Sequence, residues 1–304
     1  MQALKEIINA LVKNGKALPA FNVPYLPMVE PVIQAVVDIN SFALIETARL
    51  EWLKFAAGSA EAVAKEYARW KDDAHVRLHL DHIPVIDEDG QLVDYLYLIQ
   101  EAIDLGFDSV MIDGSRLSLD ENIAATQKVT KMTQQAGIPC EAELGAVMGH
   151  ESGPLLPYEE IFASGKGFTN IQEAQRFVKE TGCDWLSVAI GNIHGAITGG
   201  LKDQKKIAAR LNLDHLENLS NATRIPLVLH GGSGIPRDLV LASFTKGIAK
   251  INIGTEIRQA YEVEIKTSNS VANAQKAVYD RTCWLISDYF AIENSSALLP
   301  SEDK

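Results

Sequence analysis

Eight short apolar runs, each followed by a segment of helical period, leave this chain few folds to choose from. They lie at 18–23, 42–46, 76–80, 107–112, 138–144, 185–190, 226–229 and 249–253. Each has the length and content of a buried strand, and turn-forming residues bound them. Helical patterns fall between them at 28–39, 59–70, 91–104, 120–136, 171–180, 213–221 and 236–246, and the chain closes on helices near 255–265 and 270–290. Eight strands alternating with helices predict an α/β fold of the (β/α)8 TIM barrel type with additional C-terminal helices. An open doubly wound sheet is the structural alternative, but no GxGxxG follows the first run. With no low-complexity linker, residues 1–304 read as one barrel domain with a helical extension from about 262 and a polar tail from Ser295 to Lys304.

In a parallel barrel, chemistry gathers where strands end, at the C-terminal mouth. Ile225–Leu229 runs into His230 and the turn Gly231-Gly232-Ser233-Gly234; Val76–Leu80 runs into Asp81-His82; Leu186–Ile190 runs into Gly191-Asn192-Ile193-His194-Gly195. Any one of these histidines alone fits a structural role. Three delivered to one mouth predict a metal site of His82, His194 and His230 with an open position, the arrangement of catalytic zinc. His79 is set apart, its alternation read as pointing it elsewhere than Asp81, and His75 and His215 lie in helical or helix-to-strand context. Asp81 is placed for acid/base work beside the metal. Asp113 ends strand four and Glu143 lies in strand five; acids in such apolar strands need a partner, so they read as a second metal position or as supports of the ligands.

After strands seven and eight come Gly231 to Gly234 and Asn252-Ile253-Gly254-Thr255. Their free backbone N–H groups and the Ser233 and Thr255 hydroxyls suit a phosphate, and barrels often bind one at this position. Two segments exceed ordinary loop length: 83–92, with a turn at Asp87-Glu88-Asp89-Gly90, and 145–170, whose five glycines predict a mobile loop over the site, a surface insertion being the alternative.

Composition narrows the partners. The formal charge is −12, which argues against nucleic acid or an anionic membrane surface. Cys140, Cys183 and Cys283 form no CxxC pair, so buried thiols in a reducing compartment are expected. Met1–Asn14 reads as an amphipathic helix rather than a signal peptide, and no apolar run approaches a membrane span. The expectation is a cytoplasmic protein.

Six motifs together resemble the class II, metal-dependent ketose-bisphosphate aldolases, the fructose- and tagatose-bisphosphate aldolase family. They are Leu80-Asp81-His82, Ser109 to Ser115, Glu141-Ala142-Glu143-Leu144-Gly145, Ala189-Ile190-Gly191 with His194-Gly195, Leu229 to Gly234, and Lys250 to Glu256. The resemblance runs from Ala20-Phe21-Asn22-Val23 to about Tyr261. It implies Zn2+ on His82, His194 and His230, stabilising as a Lewis acid the enediolate of dihydroxyacetone phosphate. It further implies Asp81 as the group that moves the proton of the aldehyde-derived hydroxyl, and Glu151, on the loop after strand five, as the acid at the ketose C–H. Asp113 and Glu143 match an alternative metal position. Asn22, Gly195, Gly231, Gly232, Ser233 and Asn252 to Thr255 match substrate- or phosphate-binding positions. A small-molecule sugar phosphate and a homodimer or homotetramer are the implied partners.

The departures concern the sugar. Arg116 stands where the family usually has His after Asp-Gly-Ser, Ala48-Arg49-Leu50 replaces a Ser-Glu-Gly segment, and Met148-Gly149-His150 replaces the Gly-Gly before Glu151. The reaction expected is reversible cleavage of fructose 1,6-bisphosphate or a related ketose bisphosphate; tagatose 1,6-bisphosphate, another modified ketose phosphate and a non-catalytic sugar-phosphate-binding barrel are the alternatives. Arg49 and Arg116 are both placed to face the mouth, and at least one is expected to contact an anionic group at the far end of the ketose, two solvated surface arginines being the alternative. An apolar C-terminal face with Trp284, Leu285, Ile286, Tyr289 and Phe290 is expected to pack either between subunits or on the chain's own barrel.

Overall fold

The computed structural model describes residues 3–145, 158–192 and 209–299. Strands β1 (Leu18–Asn22), β2 (Ala43–Ala48), β3 (Val76–Pro84) and β4 (Ser109–Asp113) pair in order with β5 (Cys140–Leu144), β6 (Trp185–Val188), β7 (Leu227–Leu229) and β8 (Ile248–Ile253). All neighbours are parallel, and β8 closes on β1, so the (β/α)8 barrel expected from the alternation is what forms.

The helices are α1 (Leu4–Lys13), α2 (Val29–Asp38), α3 (Arg49–Lys54), α4 (Ala60–Trp70), α5 (Tyr95–Asp104) and α6 (Leu119–Ala136), then α7 (Tyr158–Ser164), α8 (Ile171–Thr181), α9 (Leu213–Thr223), α10 (Arg237–Phe244), α11 (Thr255–Ser268) and α12 (Val271–Trp284). Local signals set several ends. Ser118 and Glu121 form a reciprocal capping box at the start of α6, and Gly137 closes it in the left-handed conformation. Helix α3 has no periodic signal of its own. It is a six-residue turn launched by β2 and held by the Glu51 side chain, which accepts the Ala48 N–H at 2.9 Å.

Two apolar clusters divide the core. The larger fills the space between strands and outer helices. The smaller lies inside the barrel, where Leu18, Ala20, Leu44, Trp185 and Val228 meet Leu4, Ile7, Ile8 and Leu11 of α1. The amphipathic N-terminal segment is therefore a plug that shuts the mouth opposite the strand ends. Above it the filling changes. Barrel interiors are usually packed with branched apolar side chains, yet here Glu46, His79, Glu141 and Lys250 are all fully buried.

The 83–92 stretch is partly strand: β3 runs on to Pro84, Ile86 bridges Leu92, and Asp87 Oδ1 accepts the N–H groups of Asp89 and Gln91. Helix α7 and the start of α8's approach occupy the later part of 145–170; the hinge region expected before them, with Glu151, falls outside the described residues. At the C-terminal end, Leu285, Ile286 and Phe290 join the chain's own core, so of the two placements expected for that face the barrel holds it. Trp284 stays partly exposed and stacks on Tyr289 at 5.4 Å. The three cysteines are free thiols, and no helix among the described residues is long and apolar enough to cross a membrane.

If α1 is a plug, truncating it should cost what a core truncation costs. Ile7→Ala is expected to lower unfolding free energy by about 2–4 kcal/mol in urea; a loss under about 1 kcal/mol would show that α1 contributes little to the barrel interior.

Candidate active site

Asp81 and His82 are adjacent on β3, and adjacent strand residues point to opposite faces. Both nevertheless line one pocket at the strand ends. The register between β3 and β4 slips between Leu80 and Ile83, and His82 has a positive φ of 34°. A bulge of this kind turns one side chain back toward its neighbour's face, at a backbone cost of order 1–3 kcal/mol. The strain buys a carboxylate and an imidazole on the same side.

Across the mouth, His230 follows β7. Its backbone carbonyl accepts a hydrogen bond from Asn192 Nδ2 at 2.9 Å, which ties the ends of β6 and β7 together. His230 Nδ1 lies 2.8 Å from His82 Nε2, and His230 Nε2 lies 2.8 Å from Glu141 Oε1. A carboxylate oxygen only accepts, so this contact assigns the His230 proton to Nε2 and leaves the Nδ1 lone pair facing His82. His82 Nδ1 in turn faces Asp113 Oδ2 at 3.2 Å and Glu143 Oε2 at 3.8 Å. Asp113 is steadied by Ser115, whose N–H and Oγ both donate to Oδ1.

Asp81 is gripped by two amides. Asn22 Nδ2 donates to Oδ2 at 2.9 Å and Asn252 Nδ2 donates to Oδ1 at 3.1 Å. Burial by itself would raise its pKa, but the positive charge of His82 beside it, with Lys250 beneath, outweighs this and holds the carboxyl below its usual value. For Glu143 burial wins, reinforced by the neighbouring Asp113, and the pKa rises to about 8. Two nearby carboxyls are thus driven apart in proton affinity, one ready to accept and one inclined to keep its proton.

The donor set suits a metal ion. Asp81, His82 and His230 bring one ligand atom each within 4.8 Å of one another, and so do His82, Asp113 and Glu143. Imidazole nitrogens and carboxylate oxygens are the ligands zinc takes, and the Nδ1 lone pair of His230 is already directed. His194 and Gly195 fall outside the described residues.

Asn22, Arg49, Arg116, Gly231, Ser233, Asn252, Gly254 and Thr255 line the same pocket as Asp81, His82, Asp113 and His230. Gly232 and Ile253 do not. A Cβ on Gly232 would come within 2.8–3.0 Å of Ile251 and Ile253, so its bareness lets the β7 turn lie against β8. Gly254 serves the acid directly: a side chain there would press on the Asn22 side chain that holds Asp81.

Several groups were not singled out in the sequence. Arg258 lines the pocket one turn into α11, clamped by Glu262 at 2.7 and 2.8 Å and lying over the Phe55 ring at 5.2 Å. In the sequence it looks like an ordinary i, i+4 surface pair. Glu51 also lines the wall, and its burial raises the carboxyl pKa to about 8. His79 corrects an expectation: two residues before Asp81 on one strand, it shares that residue's face, and its Nδ1 meets Ser109 Oγ at 2.8 Å.

Similarity to known proteins agrees with this geometry. The family model described as fructose-bisphosphate aldolase class-II matches residues 2–295. A 6-phospho-5-dehydro-2-deoxy-D-gluconate aldolase of Bacillus subtilis is 35% identical over 87% of this chain and 83% of its own length. A fructose-bisphosphate aldolase of Streptococcus pyogenes is 33% identical over 91% of this chain and 86% of its own. Among solved structures, the YdjI aldolase of Escherichia coli K12 superposes with a TM-score of 0.75 at 28% identity, covering 97% of this chain and all of that one. A family match that spans nearly the whole sequence, on a barrel whose strand ends carry these histidines and carboxylates, places the chain in the class II fructose-bisphosphate aldolase family.

Proposed function

We propose that the protein reversibly cleaves a phosphorylated ketose into dihydroxyacetone phosphate and an aldehyde, with a divalent metal held by His82, His230 and His194. The observation that carries this reading is Asp81, a carboxylate fixed by two amide donors directly beside two facing imidazoles. A bound zinc would supply Lewis acidity, stabilising the negative charge that develops on the ketose oxygens as the C–C bond breaks.

The residues of the chain then divide the work. The amide grip aims Asp81 into the pocket, where it takes the proton of the hydroxyl that becomes the aldehyde and returns it in the synthetic direction. Glu151 is the proposed acid for the ketose C–H. The turn at Gly231, Gly232 and Ser233, with Asn252 to Thr255 at the start of α11, forms the phosphate subsite. There, backbone N–H groups and a helix N-terminus favour an anion. Gly195 belongs to the same proposed subsite. Asp113 and Glu143 sit beside His82, where they orient it or offer the metal a second position.

The pocket also carries three guanidiniums, from Arg49, Arg116 and Arg258. This supports a substrate whose far end is anionic, such as a 1,6-bisphosphate or an acid, over a neutral ketose phosphate. Fructose 1,6-bisphosphate remains the first substrate to test. Subunits assembling as a dimer or tetramer are part of the same proposal.

Two measurements test it. With zinc bound, Asp81→Asn should lower kcat by roughly 10²–10⁴-fold while metal content is kept; unchanged turnover would remove Asp81 from the chemistry. Triose-phosphate release should be assayed on a ketose 1-phosphate and on the matching 1,6-bisphosphate. Arg116→Ala and Arg49→Ala should each lose about ten- to a hundred-fold in kcat/KM on the bisphosphate alone. Equal losses on both substrates, or none, would show that these arginines do not read the far end.

A further inference from the structure

Lys250 lies on β8 two residues before Asn252, fully buried and outside the lining of the pocket. Three groups surround the buried ammonium: it donates to Glu141 Oε2 at 2.9 Å and Asn252 Oδ1 at 2.8 Å, while Glu46 Oε2 lies at ion-pair distance, 3.4 Å, without a hydrogen bond. Two of them lead straight to the site. Glu141 uses its other oxygen to accept the His230 Nε2 proton, and Asn252 uses its other end to donate to Asp81. Because the Asn252 oxygen is committed to Lys250, its amide cannot turn over without pointing that oxygen at the Asp81 carboxylate. Because Glu141 is held by Lys250, the imidazole of His230 keeps its Nδ1 lone pair toward His82.

The contacts close a circuit: His82, His230, Glu141, Lys250, Asn252, Asp81, and back to His82 along the backbone. We propose that Lys250 is a positioning residue that sets the metal-ligand half and the acid/base half of the site together, from beneath the pocket and without touching substrate. The inference rests on the proposed metal-dependent reaction. The bland alternative is that Lys250 only balances the charge of Glu46 and Glu141 inside the barrel.

Two variants and one wild-type measurement separate these. In Lys250→Met, zinc affinity read by competition with a chelating dye should fall about 10–100-fold, the usual penalty for losing a support of a metal ligand. The kcat of the zinc-loaded protein should fall by a similar factor of about 10–100, with KM within about threefold. Lys250→Met combined with Glu46→Gln removes the cation together with one of its carboxyl partners. A positioning role predicts that the pair restores thermal stability but neither zinc affinity nor kcat. Recovery of both to within about threefold of wild type would reduce Lys250 to a counter-charge and overturn the proposal.

If neither variant folds, the wild-type protein decides. The Lys250 ammonium, shielded from water, should give a slowly exchanging 15N–1H signal that shifts as zinc is added and stops shifting at one equivalent; a signal indifferent to zinc overturns the inference. No zinc binding by wild type would bring down the functional reading and this inference with it. Zinc binding that is equally tight in wild type and variants would bring down the inference alone.

Discussion

The structure depends on keeping charge inside a closed barrel. Glu46, Glu141 and Lys250 are completely buried, and a carboxylate or ammonium taken out of water costs several kcal/mol unless it is paired and hydrogen-bonded. Lys250 meets that demand for Glu141, and the attraction holds: burial would lower the Lys250 pKa, but Glu141, Glu46 and Asp81 raise it to about 12. Glu141 is driven the other way, well below the ordinary carboxylate range, by Lys250 and His230 against the opposing effect of burial. An apolar filling would pack as well. What the ion pair adds is direction, since Glu141 commits its other oxygen to His230 and the Lys250 ammonium also donates to Asn252.

Above this layer the mouth has two unlike sides. One is built from short turns with little freedom: Gly232 lies against Ile251 and Ile253, and Gly254 lies against Asn22. The other is lined by long side chains on α3, the β4 end and α11, where Arg49 reaches Asp87 at 3.4 Å and Arg258 is braced by Glu262.

How much of this was legible in the sequence follows from range. The eight strands, the amphipathic N-terminal helix and the convergence of Asp81, His82 and His230 were visible because period and strand-end position are local properties; that the helix plugs the barrel was not. The bulge at His82 was not, because nothing in Leu-Asp-His-Ile marks a residue of positive φ; only the pairing with β4 shows it. The circuit through Lys250 was also hidden. Its partner Glu141 is 109 residues away, and a lysine inside a strand reads as an edge or surface residue until the barrel closes around it. His79 was readable and was misread: alternation puts residues 77, 79 and 81 on one face, and the structure finds His79 beneath Asp81 among Glu46 and Glu141.

The proposed chemistry requires one metal ion held by these converging groups. The most direct measurement is to strip the purified protein with a chelator, add zinc back in known amounts, and follow triose-phosphate release from fructose 1,6-bisphosphate and a panel of related ketose phosphates. A single catalytic zinc predicts no cleavage of any of them by the stripped protein and a linear return of activity that levels off at one zinc per chain. Cleavage that survives complete removal of the metal would contradict it.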